Sequence, residues 1–263
     1  MGKVQVDPGM HIDHILQPLR DKRDLLLDIG KEFRLRKVYT GGLKFHNWLE
    51  EAPENNWFYR FCTHRGIEGP LKFFAVFGHP ILAHFISGRK VFFSGENLHG
   101  LWGKYNHFRR NEHLYDLVLG FDPLGDSRHM RFPLWIQYLV APEDSLEDIR
   151  AKIARINDIA NRTNPERTKF ACIMARHDGS GIRSQLGDLL GQVAPITYPG
   201  KFRNNTDELK TKYNDNKKKY LRNFRFNICP ENSITLGYIT EKLFEAIISG
   251  CIPIYWGGGM GYI

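Results

Sequence analysis

The sequence contains no long apolar run. No stretch of about eighteen or more apolar residues occurs among its 263 residues, so we expect no transmembrane helix. The first residues, MGKVQVDPGMHIDH, contain no apolar segment of the kind that secretory signal peptides have. Hydrophobic residues make up 42% of the chain and aromatic residues 13%, which is typical of a folded protein and not of a disordered one. We therefore expect a cytoplasmic protein, with peripheral contact to the inner membrane surface left open.

Cysteine is scarce and has no motif spacing. Four cysteines occur, and none lies in a CxxC pair, so the sequence supports neither a zinc site nor a disulfide framework. Three of them, Cys172, Cys229 and Cys251, lie in apolar runs. A cysteine in such a run favours a buried, reduced thiol.

The familiar nucleotide and metal motifs are also missing. The sequence contains no GxGxxG, no P-loop and no metalloprotease motif. The segment DPLGD, residues 122–126, is too loose to predict a paired-aspartate metal site. Any nucleotide or metal site must therefore be sought in less common patterns.

Positive charge is in excess. The net charge is +8, and the excess concentrates in residues 201–226 around three consecutive lysines. Such a balance fits nucleic acid, an anionic membrane surface or a phosphorylated small molecule. Consecutive lysines spread around a helix, so a solvated face is favoured over a docking patch. Nucleic-acid binding is disfavoured because few aromatic residues interleave with the lysines, namely Tyr213, Tyr220 and Phe224.

Strand and helix signals alternate along the chain. Residues 12–36 indicate a helix, and four β-rich runs follow at residues 37–45, 71–80, 89–97 and 115–122. The second half predicts helices over 145–164 and 207–221 and strands over 168–175, 225–232 and 251–258. Ser145 and Asp148 resemble a capping box. This alternation predicts two α/β halves with parallel sheets and a cleft between them, divided near residues 140–165.

A polar cluster opens the last predicted helix. The segment CPENSITLGYITEKLFEA, residues 229–246, places Tyr238, Glu241 and Lys242 in the first turns, directly after a strand end and a glycine. Ligands of open α/β sheets bind at such strand ends, and a helix N-terminus favours an anion. Taken alone, a Glu-Lys pair at a helix start is more often a solvated surface feature.

Two further polar residues follow predicted strands. Glu96, in FFSGENLHG, lies at the carboxyl end of a strand, where a carboxylate could act as a general base. Arg183, in ARHDGSGIRSQLGDLL, lies at a predicted helix start, where a guanidinium could bind phosphate oxygens. Most such residues in loops are merely solvated or ion-paired.

These segments together resemble a known family. The stretch FNICPENSITLGYITEKLFEAIISGCIPIYWGG closely resembles the donor-site signature of the alpha-1,3/4-fucosyltransferases. The segments LKFHNWLEE, RKVFFSGENLHG, YDLVLGFD, RHMRFPLW and FACIMA with IRSQL resemble further blocks of that family in the same order. The resemblance covers most of residues 43–257 and is closest to bacterial members.

The resemblance implies a fold and a reaction. The family has the GT-B fold, with two Rossmann-like domains facing a cleft, so residues 1–144 would bind the acceptor and residues 145–263 the donor, GDP-β-L-fucose. The acceptor would be an oligosaccharide or glycolipid with a lactosamine-type N-acetylglucosamine, fucosylated at its 3-hydroxyl. Neither nucleic acid nor a required metal cofactor is implied, and a divalent metal would at most stimulate.

The resemblance also assigns residues. Glu96 corresponds to the proposed general base, and Arg183 and Lys242 to the arginine and lysine that bind the diphosphate. Asn232, Tyr238 and Glu241 match positions that hold the nucleotide and the fucose. The sequence ends at WGGGMGYI, whereas family members continue, so we expect an incomplete donor-binding domain. A catalytically impaired relative that only binds nucleotide sugar or glycan is therefore the alternative.

Overall fold

The computed structural model of the protein describes residues 37–38, 42–48, 53–99, 105–122, 127–165 and 167–259. The chain divides into two compact units, Met1–Leu119 and Gly120–Ile263. The helix predicted over residues 12–36 lies outside the described residues. The units meet at residue 119, ahead of the predicted boundary at residue 144, and the division into acceptor and donor domains stays a prediction.

The first unit is built on a mostly parallel sheet. Its strands are adjacent in chain order, with the β1–β2 pair antiparallel and the others parallel: β1 (Lys37–Val38), β2 (Lys44–His46), β3 (Leu71–Phe74), β4 (Arg89–Phe93) and β5 (Leu117–Gly120). Phe74 lies opposite Phe92, which in turn lies opposite Val118. Strands β3, β4 and β5 fall within predicted runs, because aromatic and β-branched side chains fit a buried pleated surface, whereas the run over 37–45 forms two strands, β1 and β2, the second ending one residue beyond it.

Aromatic side chains form the core beside this sheet. The ring of Phe92 packs on Phe108 and on Tyr115, with centroid distances of 5.5 and 4.9 Å. Phe108 comes from a short helix that follows β4, so the core joins the sheet to its connections. The unit's helices are α1 (Trp57–His64), α2 (Leu82–Phe85) and α3 (Asn106–Arg110), with 3-10 turns at Pro53–Asn55 and Glu112–Leu114.

Helix α1, which the sequence pattern did not predict, is fixed at its start by Asn56. The side-chain oxygen of Asn56 accepts hydrogen bonds of 3.1 Å from the N–H groups of Phe58 and Tyr59. An N-cap of this kind satisfies donors that the first turn leaves without partners. Phe58 and Cys62, one turn apart, are the buried residues of the helix.

The second unit is built on a four-stranded parallel sheet with the order β10-β9-β7-β8. This sheet and its alternating helices confirm the predicted α/β fold class. The strands of the unit are β6 (His129–Arg131), β7 (Lys169–Cys172), β8 (Ile196–Thr197), β9 (Phe224–Ile228) and β10 (Ile252–Ile254). The helices are α4 (Trp135–Leu139), α5 (Leu146–Asn157), α6 (Ile159–Arg162), α7 (Ile182–Gly191), α8 (Glu208–Thr211), α9 (Lys217–Leu221) and α10 (Glu241–Ile248).

Two predicted helices are each divided in two. The segment over 145–164 forms α5 and α6, because Asp158 leaves the helical conformation and caps α6 through Ala160 N–H at 2.9 Å. The segment over 207–221 forms α8 and α9, because Asn214 and Asp215 have φ angles of 47° and 57°. Such left-handed residues end a helix, and asparagine and aspartate adopt them more readily than most residues.

The predicted capping box at the start of α5 is present. Ser145 Oγ accepts from the N–H of Asp148 at 3.1 Å, and the Asp148 carboxylate accepts from the N–H of Ser145 at 2.9 Å. The hydrogen bonds from Ser145 hold the pKa of the Asp148 carboxyl below its ordinary value. Among its described residues the helix has no fully buried side chain, and Ile153 is 46% exposed, so its apolar stripe is only partly covered.

Candidate functional site

A cavity of about 240 Å³ lies at the carboxyl ends of β7 and β9 in the second unit. The segment after β7, residues 174–177, forms one wall, and residues 227–230 with Asn232 form another. Helices complete it with Arg183 from α7, Lys217 from α9 and Glu241, Lys242 and Glu245 from α10. This is the edge of an open parallel sheet at which ligands bind.

Arg183 is held at the start of α7. Helix α7 follows Gly181, which has a φ of 74°, and the Asp178 carboxylate accepts from the N–H groups of Arg183 and Ser184 at 3.1 and 2.8 Å. Burial lowers the pKa of the Arg183 guanidinium, against the charge of Asp178. Burial raises the pKa of Asp178, but the hydrogen bonds from Ser184 outweigh it, so that pKa lies below its ordinary value.

The guanidinium of Arg183 joins the two strand ends. It donates to the carbonyl oxygens of His177 and Pro230 at 2.7 and 3.3 Å, and to Asn232 Oδ1 at 2.8 Å. The predicted residues Arg183 and Asn232 are therefore hydrogen-bonded to each other, although they lie 49 positions apart. These bonds fix the orientation of the guanidinium along the cavity wall.

Lys242 is held in the first turn of α10. Its Nζ lies 3.1 Å from Glu231 Oε2, 2.8 Å from Thr240 Oγ1 and 3.6 Å from Glu241 Oε1. Burial lowers the pKa of Lys242, but the charges of Glu231 and Glu241 outweigh it, so the pKa lies above the ordinary value of 10.5. The cavity therefore presents a protonated, oriented ammonium group.

Glu231 is a buried partner of Lys242 that the sequence analysis did not single out. Its side chain is fully buried. Its carboxylate accepts from the N–H and the hydroxyl of Thr240, both at 2.7 Å, and from Tyr255 OH at 3.2 Å. The only sequence signal was a charged residue following a proline at the end of an apolar strand, since its partners come from two segments farther along the chain, residues 240–242 and Tyr255.

The sequence pattern predicts Tyr238 in the first turns of the last helix, and this prediction is wrong. The helix begins at Glu241, and Tyr238 lies in the preceding loop, 2% exposed, with its ring 4.9 Å from that of Phe121. Arg131 holds this loop by donating to the carbonyl oxygens of Gly237 and Phe121. Tyr238 is not among the residues that line the cavity, and its role in ligand binding stays a prediction.

The acidic residues of α10 add negative charge to one part of the cavity wall. Glu241 and Glu245 are one turn apart and both line it. Burial raises the pKa of the Glu245 carboxyl, and the charge of Glu241 raises it further, while that of Lys217 opposes them. Cations still outnumber acids, with Arg176, Arg183, Lys217 and Lys242 against the two glutamates. This charge balance suits a ligand with two different ends. One end would be a polyanion that the cations bind, and the other would carry hydrogen-bond donors that a glutamate carboxylate accepts.

Glu96 belongs to the first unit, whereas the five other predicted residues belong to the second. It follows β4 as predicted, in a turn closed by Ser94. Ser94 Oγ accepts from the N–H of Glu96 at 3.1 Å and donates to its carbonyl oxygen at 2.9 Å. The structure thus brings four predicted residues to one cavity: Arg183, Asn232, Glu241 and Lys242. The role of Glu96 as a general base stays a prediction.

In the described part of the chain, no group of three or more His, Cys, Asp or Glu side chains could hold a metal ion. No helix in the same residues is long and apolar enough to cross a membrane.

Two family models match the chain. The alpha-(1,3)-fucosyltransferase FucT N-terminal domain matches residues 43–138, and the C-terminal model of glycosyltransferase family 10 (fucosyltransferase) matches residues 164–262. Together they account for more than half of the chain, in the order that the family requires. The chain belongs to the fucosyltransferases of glycosyltransferase family 10. The second model contains every cavity residue discussed above, from Met174 to Glu245.

Individual relatives of this fucosyltransferase-family protein agree. It is 29% identical over 214 residues to the alpha-(1,3)-fucosyltransferase FucT of Helicobacter pylori, which covers 69% of this chain and 41% of that protein. A crystal structure of an alpha-1,3-fucosyltransferase with GDP matches at a TM-score of 0.53 and 24% identity, over 81% of this chain and 67% of the other. This likeness confirms the predicted GT-B type of fold.

Another solved structure is similar over a shorter length. An alpha-1,3-fucosyltransferase crystallised with GDP-fucose is 28% identical, with a TM-score of 0.48, over 71% of this chain and 55% of the other. The chain thus spans about half the length of the relatives that it matches, 41% of the curated protein and 55% of this structure.

Proposed function

We propose that the protein is an inverting alpha-1,3-fucosyltransferase, which moves L-fucose from GDP-β-L-fucose to the N-acetylglucosamine of a lactosamine-type glycan. The observation that carries this proposal is the cavity in which Arg183 and Lys242 meet, within the segment that matches the family's C-terminal model. Two oriented cations beside a helix N-terminus are suited to a diphosphate.

In this proposal Arg183 and Lys242 bind the donor's diphosphate. As the bond between fucose C1 and the GDP oxygen breaks, the electron pair and its negative charge pass to the diphosphate. Cations already fixed in place stabilise that charge without reorganising during the reaction. Their fixed orientation follows from the bonds of Arg183 to Asn232 and of Lys242 to Glu231.

Glu96 is proposed to be the general base. The acceptor hydroxyl attacks C1 on the face opposite the departing GDP, and its proton passes to the Glu96 carboxylate as the new bond forms. General-base catalysis of this kind contributes about 10²- to 10⁴-fold to a rate. Support comes from the position of Glu96 at the carboxyl end of β4, in a turn that Ser94 fixes.

The test is fucosyl transfer by the Glu96→Gln variant. Incubation with GDP-fucose and a panel of lactosamine acceptors, with products read by mass and linkage analysis, should show transfer to the 3-hydroxyl by the unaltered protein. We expect Glu96→Gln to lower the rate by about 100-fold or more while GDP binding is unchanged. The exposed Glu68 of the same unit provides the matched control, Glu68→Gln, which should transfer normally.

Other outcomes separate the alternatives. Normal transfer by Glu96→Gln would refute the assignment of the base. Tight GDP binding with no transfer by the unaltered chain would instead support the alternative, a relative that only binds nucleotide sugar. We also propose that no metal is required, so excess EDTA should leave transfer at half of its original rate or more.

A further inference from the structure

A second cavity, of about 290 Å³, lies elsewhere in the second unit and has a different character. Four cations line it, Lys152 and Arg155 from α5 and Lys218 and Arg222 from α9, with Asp158 as the acid among the lining residues. None of these residues lines the cavity at the ends of β7 and β9. The two cavities are therefore separate sites.

The positive charge of this second cavity is only partly balanced. Lys152 forms an ion pair with Asp144, and Asp158 accepts from Ala160 N–H at 2.9 Å. Lys218 donates to the carbonyl oxygen of Tyr138 at 3.3 Å, and its charge also acts on the Glu245 carboxyl, whose pKa it lowers against the effect of burial. Within the described residues, the guanidinium groups of Arg155 and Arg222 have no hydrogen-bond or ion-pair partner. The two lysines thus each act on nearby acids, Lys152 on Asp144 and Asp148 and Lys218 on Glu245, whereas the two arginines have no such partner among the described residues.

Arg155 and Arg222 are exposed and the two lysines are half-buried, so water screens part of the repulsion among the four cations. Like charges brought close together by folding repel one another, and the four cations come from segments more than 60 residues apart in the chain. Ile156 and Ile248 form apolar parts of the wall, which lowers the local dielectric and strengthens both repulsion and any attraction to an anion. A bound anion would remove the repulsion.

The chemistry of the cations selects the kind of anion. Two guanidinium groups free to form paired hydrogen bonds, with two ammonium groups beside them, match the oxygens and the multiple charge of a phosphate group. The cavity volume of about 290 Å³ holds a phosphate with part of the molecule that carries it. We propose that this cavity is a second anion site, which binds the phosphate group of a small molecule or of a lipid headgroup.

The first test is direct binding of inorganic phosphate. Equilibrium dialysis with labelled phosphate, at constant ionic strength, counts the equivalents bound to the full chain. We expect Arg155→Gln and Arg222→Gln each to lower the affinity of one equivalent by about tenfold or more, because each loses a charge-assisted hydrogen bond. Lys242→Ala should leave that equivalent in place, since it alters the other cavity.

A matched control removes the same charge from the same helix. Arg150 is exposed on α5 and does not line the cavity, so Arg150→Gln should bind phosphate as the unaltered protein does. An equal loss in Arg150→Gln and Arg155→Gln would overturn the proposal, because net charge alone would then explain the binding. Loss of all bound phosphate in Lys242→Ala would also overturn it, since phosphate would then occupy only the first cavity.

A second arm distinguishes the source of the phosphate. Sedimentation with vesicles containing phosphatidylglycerol, compared with phosphatidylcholine alone, tests a lipid headgroup. Binding that needs the anionic lipid and is lost in Arg155→Gln would assign the site to lipid. Phosphate binding without vesicle binding would assign it to a soluble phosphate ester. Absence of both would refute the site.

Discussion

Glu231 holds Lys242 in the cavity at the carboxyl ends of β7 and β9. It is fully buried, and its two oxygens accept four hydrogen bonds, from Thr240 N–H and hydroxyl, Lys242 and Tyr255. Thr240 Oγ1 also accepts from Lys242 Nζ at 2.8 Å. The ammonium group is therefore held at two points, and the start of α10 is tied to the segment after β10.

Replacing Glu231 with glutamine tests whether it positions Lys242. The change removes a negative charge 3.1 Å from the ammonium group, so charge alone predicts tighter binding of GDP. We expect weaker binding, by about tenfold, because glutamine has one acceptor oxygen for four donors and places an NH2 group against the others, so Lys242 loses its orientation. Calorimetric titration with GDP measures the change.

Guanosine separates a positioning role from a general loss of structure. It has no phosphate, so its affinity should be the same in Glu231→Gln and in the unaltered protein. Equal weakening of GDP and guanosine would contradict positioning and point to a distorted cavity. Glu147→Gln, at an exposed position of α5, is the charge-matched control.

Glu245 predicts a pH dependence of stability. Because burial and Glu241 raise its pKa above the ordinary value of 4.5, the folded protein favours the neutral carboxyl. Its contribution to the free energy of unfolding is fully present below that value and is lost as the pH rises through the raised pKa. Glu245→Gln keeps a neutral side chain, so we expect it to gain stability relative to the unaltered protein between about pH 4.5 and 7.

Urea midpoints of the two proteins, measured at intervals across this range, give the difference directly. The two curves should converge toward the acid end, where Glu245 is neutral in both the folded and the unfolded chain. A difference that stays constant with pH would show that the Glu245 carboxyl titrates at its ordinary pKa.

Among the elements, the loop before α10 depends on Gly237. This residue has a φ of 79°, and a Cβ there would lie 2.8 Å from Arg131 Nη1 and 2.9 Å from the carbonyl oxygen of Phe121. Gly66 has a similar φ of 63°, but a Cβ there would meet nothing within 4 Å. Alanine at Gly66 would therefore introduce backbone strain alone, whereas alanine at Gly237 would also displace Arg131 and the carbonyl group of Phe121.

We therefore expect Gly66→Ala to cost about 1 to 2 kcal/mol of unfolding free energy, the usual penalty for a left-handed non-glycine residue. Gly237→Ala should cost more, because Arg131 must also move, and it should weaken GDP binding through the displaced loop. Urea denaturation and GDP titration measure the two effects. Equal costs with unchanged GDP affinity would show that the loop absorbs the methyl group.

At the scale of the whole molecule, the four buried thiols report on the two units separately. Cys62 lies in the first unit and Cys172, Cys229 and Cys251 in the second, and none forms a disulfide. Burial raises the pKa of Cys62 and of Cys251 to about 11, and it raises those of Cys172 and Cys229 further. The native thiols should thus react with a maleimide only when their unit opens.

GDP should slow the labelling of the second unit's three thiols more than that of Cys62. A ligand stabilises the structure to which it binds, and the residues of the cavity proposed to bind GDP all belong to the second unit. Mass spectrometry of peptides after timed labelling, with and without GDP, measures each rate. Slowing confined to Cys62 would contradict the placement of the nucleotide.

Much of the fold was predictable because its signals are local. Apolar strand runs and the capping box of Ser145 and Asp148 each depend on neighbours within a few positions. The breaks at Asp158 and at Asn214–Asp215 were not predicted, since they depend on single residues leaving helical conformation within a pattern that continues across them. Helix α1 was missed for the opposite reason, because its aromatic residues also fit a strand.

The family, the order of the elements and the candidate residues Arg183, Asn232, Glu241 and Lys242 could be read from the amino-acid sequence, because they lie in contiguous segments with fixed spacing. Three features became visible only in the folded protein. Lys242 and Tyr255 donate hydrogen bonds to Glu231, and Tyr238 is buried in the loop before α10. Four cations from α5 and α9 line one cavity. Charges far apart in the chain interact only once the sheet and its helices bring them together, and no local pattern specifies that convergence.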